Sequence, residues 1–311
     1  MANYLIQDTT LTGIAEAIRS KTGGTDPILV ADMAAKIESI SGGGGSLPAG
    51  AYWKSTGIAP PNKYYQSYFT LNGELYCATV SFTGNGNINS LYKYSNDAWV
   101  AVSTETQLSG MTPLCEKIEY NNRVHIMGGD SKTHYIFDGT GAPARAADLP
   151  NLVSNSAICV CGGKMYAYSY YDGGMYVWDE VSDTWTLEAT VGSKYSYYYL
   201  AVIGGNIYAA RNQNVYIYEG GTFVQKGTLL KSNSTKFRVI GNYIYYVYGT
   251  LSNTPYTITR YDVATDTNTS LGYLPNDGVI NGLIEYNGQP FYWFGDNTDG
   301  FNSMLLYEVT E

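Results

Sequence analysis

Two histidines, His125 and His134, are the whole imidazole supply of this 311-residue chain, so a metal centre built on several histidines is excluded. A Ser/His/Asp arrangement would rest on His134, which the sequence places in a loop just after Asp130, and nothing distinctive surrounds a serine. Acid chemistry has more material. Asp130, Asp172, Asp296 and Asp299 fall in irregular stretches expected on one face, where two carboxylates flanking a bond would suit glycoside hydrolysis. The same acids capping turns would be structural. The segment GDNTDG, with Asp296 to Gly300, is oxygen-rich like a calcium loop but lacks helix-loop-helix spacing. Cys159 and Cys161 stand two apart in AICVCGG, on one face of a strand, with no second ligand pair, and Cys77 and Cys115 complete a set of core thiols. No phosphate-binding or dinucleotide fingerprint sits between a strand and a helix. The reading is a non-enzyme with no cofactor and no metal, glycan-degrading activity being the alternative.

Composition points to contact chemistry instead. There are 32 Tyr against 8 Phe and 5 Trp, with 35 Gly, a mixture that favours strands and turns over helices. The stretch SKYSYYYLAVIGGNIYAARNQNVYIYEGG, from Ser193 to Gly221, is the densest case. A formal charge of −9 argues against a nucleic-acid partner. No apolar run approaches the roughly 20 residues of a membrane span, and MANYLIQDTTLTG lacks a basic region followed by an apolar one, so neither membrane insertion nor a signal peptide is expected.

The elements that must position these residues come in two kinds. Residues 1–41 are helical in pattern: Leu11, Ile14, Ala15 and Ile18 share one face, and Met33, Ile37 and Ile40 form a second stripe after Pro27. Two helices of this size bury little alone, so the segment is expected to attach to a partner or oligomerise. Residues 42–50 hold a Gly-rich linker. From 51 to 311 the pattern is all strand. Six two-residue turns join apolar runs, beginning at Asn72, Asn121, Gly162, Gly204, Gly241 and Asn287, at intervals of 49, 41, 42, 37 and 46 residues. Asn-Gly, Gly-Gly and Gly-Asn at such places are hairpin signals. Each is followed by a strand carrying aromatics, as in LYKYSNDAW and MYVWDEVSDTW, so each unit supplies about four strands, a pattern of propeller blades. The last unit ends one strand short, and GAYWKST around Trp53 supplies it, which predicts an all-β, six-bladed ring closed by residues 51–56 beside Leu305–Val309.

Two resemblances follow from these segments. LTGIAEAIRSKTGGTDPILVADMAAKIESI, within a similarity that spans residues 9–40, resembles a helical module of tail and tail-fibre proteins of bacteriophages and prophages. The repeat resembles kelch-type β-propellers, best in CGGKMYAYSYYDGGMYVWDEVSDTW with Gly162, Gly163, Tyr166, Asp179 and Trp185, although four units lack the Gly-Gly pair and only Trp99 and Trp185 occupy the late tryptophan position. Together they imply a phage tail adhesin in the virion tail, made in the bacterial host cytoplasm and homo-oligomeric. Other phage tail proteins would bind residues 1–41, and a host surface glycan or protein would bind the propeller. Alternatives are a virion-associated polysaccharide-degrading enzyme and a structural tail spacer. In a four-stranded blade the middle turn and the link to the next blade lie on one face. These segments are rich in Tyr, Asn, Ser and Gly, the composition of binding loops. The expected contact residues are Tyr170, Tyr171, Asp172, Tyr195, Tyr197, Asn212, Asp296 and Asn297. Strand tyrosines such as Tyr208, Tyr216 and Tyr218 are expected to pack between blades.

Overall fold

The computed structural model divides into two units, Met1–Ser46 and Leu47–Glu311. The structure describes residues 51–55, 58, 66–80, 88–104, 108, 115–127, 132–151, 153–196, 198–230, 236–250, 254–273, 279–295 and 302–309. The helical pair and the linker expected over residues 1–50 lie outside them. Among the described residues every regular element with a helical or extended backbone is a strand.

The strands follow the hairpin signals. Asn72-Gly73, Asn121-Asn122, Gly162-Gly163, Gly204-Gly205 and Asn287-Gly288 all have positive φ at both positions, the type I′ geometry that matches the twist of the flanking strands. The chain thereby builds antiparallel sheets of four consecutive strands. The first blade is β2 (Gln66–Leu71), β3 (Glu74–Val80), β4 (Ile88–Ser95) and β5 (Ala98–Ser103), preceded by β1 (Ala51–Ser55). The second is β6 (Glu116–Tyr120), β7 (Arg123–Met127), β8 (His134–Phe137) and the short β9 (Ala144–Arg145). The third is β10 (Val153–Cys161), β11 (Lys164–Ser169), β12 (Gly174–Asp179) and β13 (Thr184–Thr190). The fourth is β14 (Tyr199–Ile203), β15 (Asn206–Arg211), β16 (Asn214–Glu219) and β17 (Thr222–Thr228). The fifth is β18 (Lys236–Ile240), β19 (Tyr243–Thr250), β20 (Thr254–Asp262) and β21 (Thr267–Tyr273).

Among the described residues the blades built of consecutive strands number five, where the sequence led to an expectation of six blades with the last completed by residues 51–56. The remaining sheet is composite: β22 (Val279–Tyr286), β23 (Gln289–Gly295) and β24 (Asn302–Val309) take β1 as their fourth strand. Trp53 lies opposite Tyr307 in that pairing, which sets residues 51–55 beside Leu305–Val309, the neighbour the sequence suggested for residues 51–56. First strands of successive sheets neighbour one another in a cycle, β2 against β6, then β10, β14, β18 and β22, which returns to β2. This is a β-propeller.

Apolar clusters fill the seams between blades, and hydrogen bonds clip the seams at the rim. Asp183, in the last turn of the third blade, accepts from the Ala147 backbone N–H of the second blade at 3.1 Å and from its own Trp178 Nε1 at 3.3 Å. Asp266 repeats the device one blade pair along, accepting from the Tyr261 hydroxyl at 2.8 Å and from the Thr228 N–H of the fourth blade at 3.2 Å. Tyr208, Tyr216 and Tyr218 are half-buried against these seam clusters, so they pack as strand tyrosines without being sealed in the core. The fully buried tyrosines are others, among them Tyr68, Tyr168, Tyr246 and Tyr261.

Candidate functional site

The loop face is braced by one repeated contact. In three successive blades a middle-turn carbonyl accepts from the backbone of the link to the next blade: Lys132 from Leu149 at 2.9 Å, Gly173 from Val191 at 2.9 Å, and Gln213 from Leu229 at 2.7 Å. Leu149, Val191 and Leu229 are each buried, so an apolar side chain anchors each link beneath the polar contact. Turn and link are thus fixed together on one face.

The third blade carries this furthest. Gly173 sits at φ +74, and a Cβ there would lie 2.1 Å from the carbonyl oxygen of Gly192, so only glycine admits the link. A Cβ on Gly192 would in turn meet the buried Tyr168 hydroxyl at 2.7 Å. Gly192 N–H also donates to the Gly173 carbonyl at 3.2 Å, and Tyr195 N–H to the Tyr170 carbonyl at 2.5 Å. Tyr195 itself adopts φ +61, a conformation a bulky residue takes only when its surroundings impose it. The result is a cluster of rings. Tyr170 and Tyr171 have centroids 4.8 Å apart, and Tyr171 meets Tyr195 edge-to-face at 5.6 Å. Tyr170 packs on the core beneath, while Tyr171 is 41% and Tyr195 68% exposed. Tyr168 and Tyr198, ring to ring at 5.0 Å, and the Arg211 guanidinium 5.6 Å over Tyr198 support the platform from the neighbouring seam.

Asp172 belongs to the same turn, but its carboxylate is occupied. It accepts from Asn151 Nδ2 at 2.5 Å, the Tyr176 hydroxyl at 2.6 Å and the Gly174 N–H at 2.9 Å. Burial pushes its carboxyl up, and these donors outweigh that effect and hold it below the usual range. It acts as a turn cap in this arrangement. Asn212, at φ +56, is exposed in the equivalent middle turn of the fourth blade. Tyr197, Asp296 and Asn297 lie outside the described residues, as do Asp130 and Asp299, so the structure brings together Tyr170, Tyr171, Asp172 and Tyr195.

The histidines are elsewhere. His134 opens β8 rather than a loop, buried with His125 in the seam between the second and third blades, their Nδ1 and Nε2 atoms 2.8 Å apart. Trp178 lies 4.8 Å from His125 and 5.3 Å from His134, and Trp185 lies 5.8 Å from His134. Burial, then the neighbouring imidazole, lowers His125 to about 3, and burial lowers His134 to about 4, so both are neutral fillers at ordinary pH. Among the described residues no three of His, Cys, Asp and Glu are grouped to hold a metal ion. The four cysteines are free thiols, three of them buried.

What sequence reasoning missed lies at the ring axis. Glu116 and Arg238 form an ion pair between β6 and β18, strands on opposite sides of the cycle, and Arg238 Nε donates to the Leu283 carbonyl of β22 at 3.1 Å. Nothing in the sequence signals a pair 122 positions apart.

No protein-family model and no curated protein matches the chain. Among solved structures it is similar to a selenomethionine-substituted virginiamycin B lyase from Staphylococcus aureus, with 9% identity and a TM-score of 0.55 over 83% of this chain and 99% of that one. At this identity the likeness carries the propeller fold alone.

Proposed function

We propose that this chain is a phage tail adhesin whose propeller recognises a host surface glycan or protein through its loop face. The observation that carries the reading is the Tyr170–Tyr171–Tyr195 cluster: two exposed rings held by backbone contacts that only glycines at 173 and 192 admit. Exposed aromatics fixed at such cost suit binding, because rigid rings give contact area with little ordering on association. Sugar faces stack on such rings, and amides such as Asn212 suit hydroxyls. In this reading the composite sheet is the sixth blade of a closed kelch-like ring, with Gly162, Gly163, Tyr166, Asp179 and Trp185 its best-matched unit. Residues 1–41 attach the propeller to other tail proteins or to copies of the chain. The virion context rests on the resemblance of residues 9–40.

A glycan array with the full chain, followed by adsorption to cells of the host, tests the reading. Wild type is expected to bind, and the Tyr170→Ala/Tyr171→Ala/Tyr195→Ala variant to bind at least tenfold more weakly while folded. Equal binding by the folded variant would remove this face as the receptor site and favour a spacer role.

A further inference from the structure

Arg211 differs from the other described arginines in what it bonds. Arg123 is paired with Glu180, Arg145 with Asp148 and Arg238 with Glu116, and Arg260 is hydrogen-bonded to Tyr245. Arg211 instead holds its guanidinium carbon 5.6 Å from the centre of the Tyr198 ring, and among the described residues no oxygen accepts from its N–H groups. A guanidinium carries five such donors in a planar fork. Half-buried at the end of β15, this one is fixed in place with its donors unspent.

The ring beneath it joins it to the aromatic platform. Tyr198 is buried, meets Tyr168 edge-to-face at 5.0 Å and lies 4.9 Å from Phe223. It also touches the junction of turn and link, since a Cβ on Gly192 would come within 3.2 Å of Tyr198 Cε2. One buried ring therefore contacts both the guanidinium and the link that carries Tyr195. The turn after Arg211 is braced on its other side, where the Gln213 carbonyl accepts from Leu229 at 2.7 Å and Gln213 Nε2 donates to the Leu230 carbonyl at 3.4 Å.

The charge around these rings is one-sided. Lys194 stands exposed beside Tyr195, with no ion pair among the described residues. Asp172 is the one acid in the segments YYDGG, VGSKYSYY and RNQN, and Asn151, Tyr176 and Gly174 already occupy it. The buried Tyr168 hydroxyl has no hydrogen-bond partner; burial raises its pKa and the Arg211 charge opposes the rise, so the guanidinium stands within electrostatic reach of a neutral group rather than an anion. In a chain of formal charge −9, this stretch of the loop face thus presents two cations and no unoccupied acid.

We infer that the Tyr171–Tyr195 platform takes an acidic sugar whose carboxylate binds Arg211, with Lys194 the second positive charge and the exposed Asn212 amide a partner for hydroxyls. A carboxylate matches the open fork with two parallel hydrogen bonds, and a sugar ring stacks on the exposed tyrosines. An oligosaccharide is long enough to lie on those rings and reach a cation one buried ring away. This assignment rests on the receptor-binding reading and deepens it: the rings supply contact and the guanidinium selects the sugar.

A glycan array probed with the full chain tests it, carrying sialylated and uronic-acid oligosaccharides beside their neutral methyl esters. Wild type is expected to bind the acids about tenfold better than the esters and to lose that preference as salt is raised. Arg211→Gln, its folding checked by melting temperature, should lower binding to the acids about tenfold and leave the esters unchanged, and Arg211→Lys, which keeps the charge without the fork, should fall between. An arginine that only holds Tyr198 in place would lower both alike, and that result would overturn the assignment. Equal binding of acids and esters by wild type, or an unchanged preference in folded Arg211→Gln, would also overturn it. So would acid preference that survives in the triple tyrosine variant, because cation and rings would then not share a ligand. Binding of neutral glycans alone, lost in the triple tyrosine variant, would sink the acidic sugar and leave the adhesin reading standing. A poly-glutamate peptide bound while every glycan is inert would move the site to a protein ligand and sink the sugar likewise. Acid preference lost in both variants, in a chain that fails to adsorb to cells, would sink the adhesin reading and leave the sugar site standing.

Discussion

Gly173→Ala isolates the tightest contact of the loop face, and Gly163→Ala is its matched control. Both glycines have positive φ, +74 and +70, but a Cβ at 163 meets nothing within 4 Å whereas one at 173 would lie 2.1 Å from the Gly192 carbonyl oxygen. The control should therefore lose only the cost of a left-handed alanine, about 1–2 kcal/mol. The test variant loses that and must also push the link away. The Gly173 carbonyl then gives up the Val191 and Gly192 N–H donors, at 2.9 and 3.2 Å, worth roughly 1 kcal/mol each. The expected total is ~3–4 kcal/mol, and at about 2–4 °C per kcal/mol for a domain of this size the melting temperature should drop by ~6–16 °C, against ~2–8 °C for the control. Differential scanning fluorimetry on the two full-length variants measures this. Tyr195 is held to Tyr170 by the same junction, so Gly173→Ala should also weaken the proposed receptor binding at a temperature where it remains folded. If the two variants melted together, the close approach of turn and link would not be a constraint, and the argument for a rigid aromatic platform would fail with it.

Further outcomes follow from the seams and the core. Tyr168→Ala, which empties a fully buried site, should cost about 3–5 kcal/mol, whereas Tyr195→Ala, 68% exposed, should stay within about 0.5 kcal/mol; equal melting shifts would contradict the burial pattern. Asp183→Ala orphans the Ala147 N–H and the Trp178 indole N–H and should cost about 2 kcal/mol, while Asp183→Asn, which keeps an acceptor, should lose less; equal loss in urea denaturation would show that the clip does not act through these bonds. The two seam histidines sit below their ordinary value of 6.5, at about 3 and about 4, so the unfolded chain binds protons that the fold refuses. Their contribution is fully present above pH 6.5 and is lost as pH falls towards 4 and 3, by up to roughly 1.4 kcal/mol per pH unit for each histidine. His125→Phe/His134→Leu should flatten that part of the stability profile, and an unchanged slope would place the acid sensitivity in the carboxylates.

The hairpins were legible because their signal is local: Asn72-Gly73 or Gly204-Gly205 dictates φ at two adjacent positions, and the alternating strands on either side fix the register. Closure by β1 was legible for a different reason, since a unit one strand short leaves an open edge that must be paired. Side-chain roles that depend on a neighbouring blade were harder to read. His134 follows the irregular segment GGDSKT and reads as a loop residue, yet it faces Met127 across a strand pair because the second blade needs a third strand, and the tryptophans that enclose it come from the next blade. Asp172 reads as a free loop acid and is occupied by Asn151, 21 residues before it, and by Tyr176. Asp183 and Asp266 follow Trp178 and Tyr261 at the same interval, a pattern visible in the chain, but its meaning lies in the Ala147 and Thr228 N–H groups one blade back. The axial pair is the extreme case. Glu116 and Arg238 meet only because the first strands return on themselves in a cycle, so their contact is a property of closure rather than of any segment. It follows that a variant of this pair reports on the whole ring: if Glu116→Gln and Arg238→Gln each lower stability but the double variant loses no more than either alone, the two side chains act as one unit across the axis.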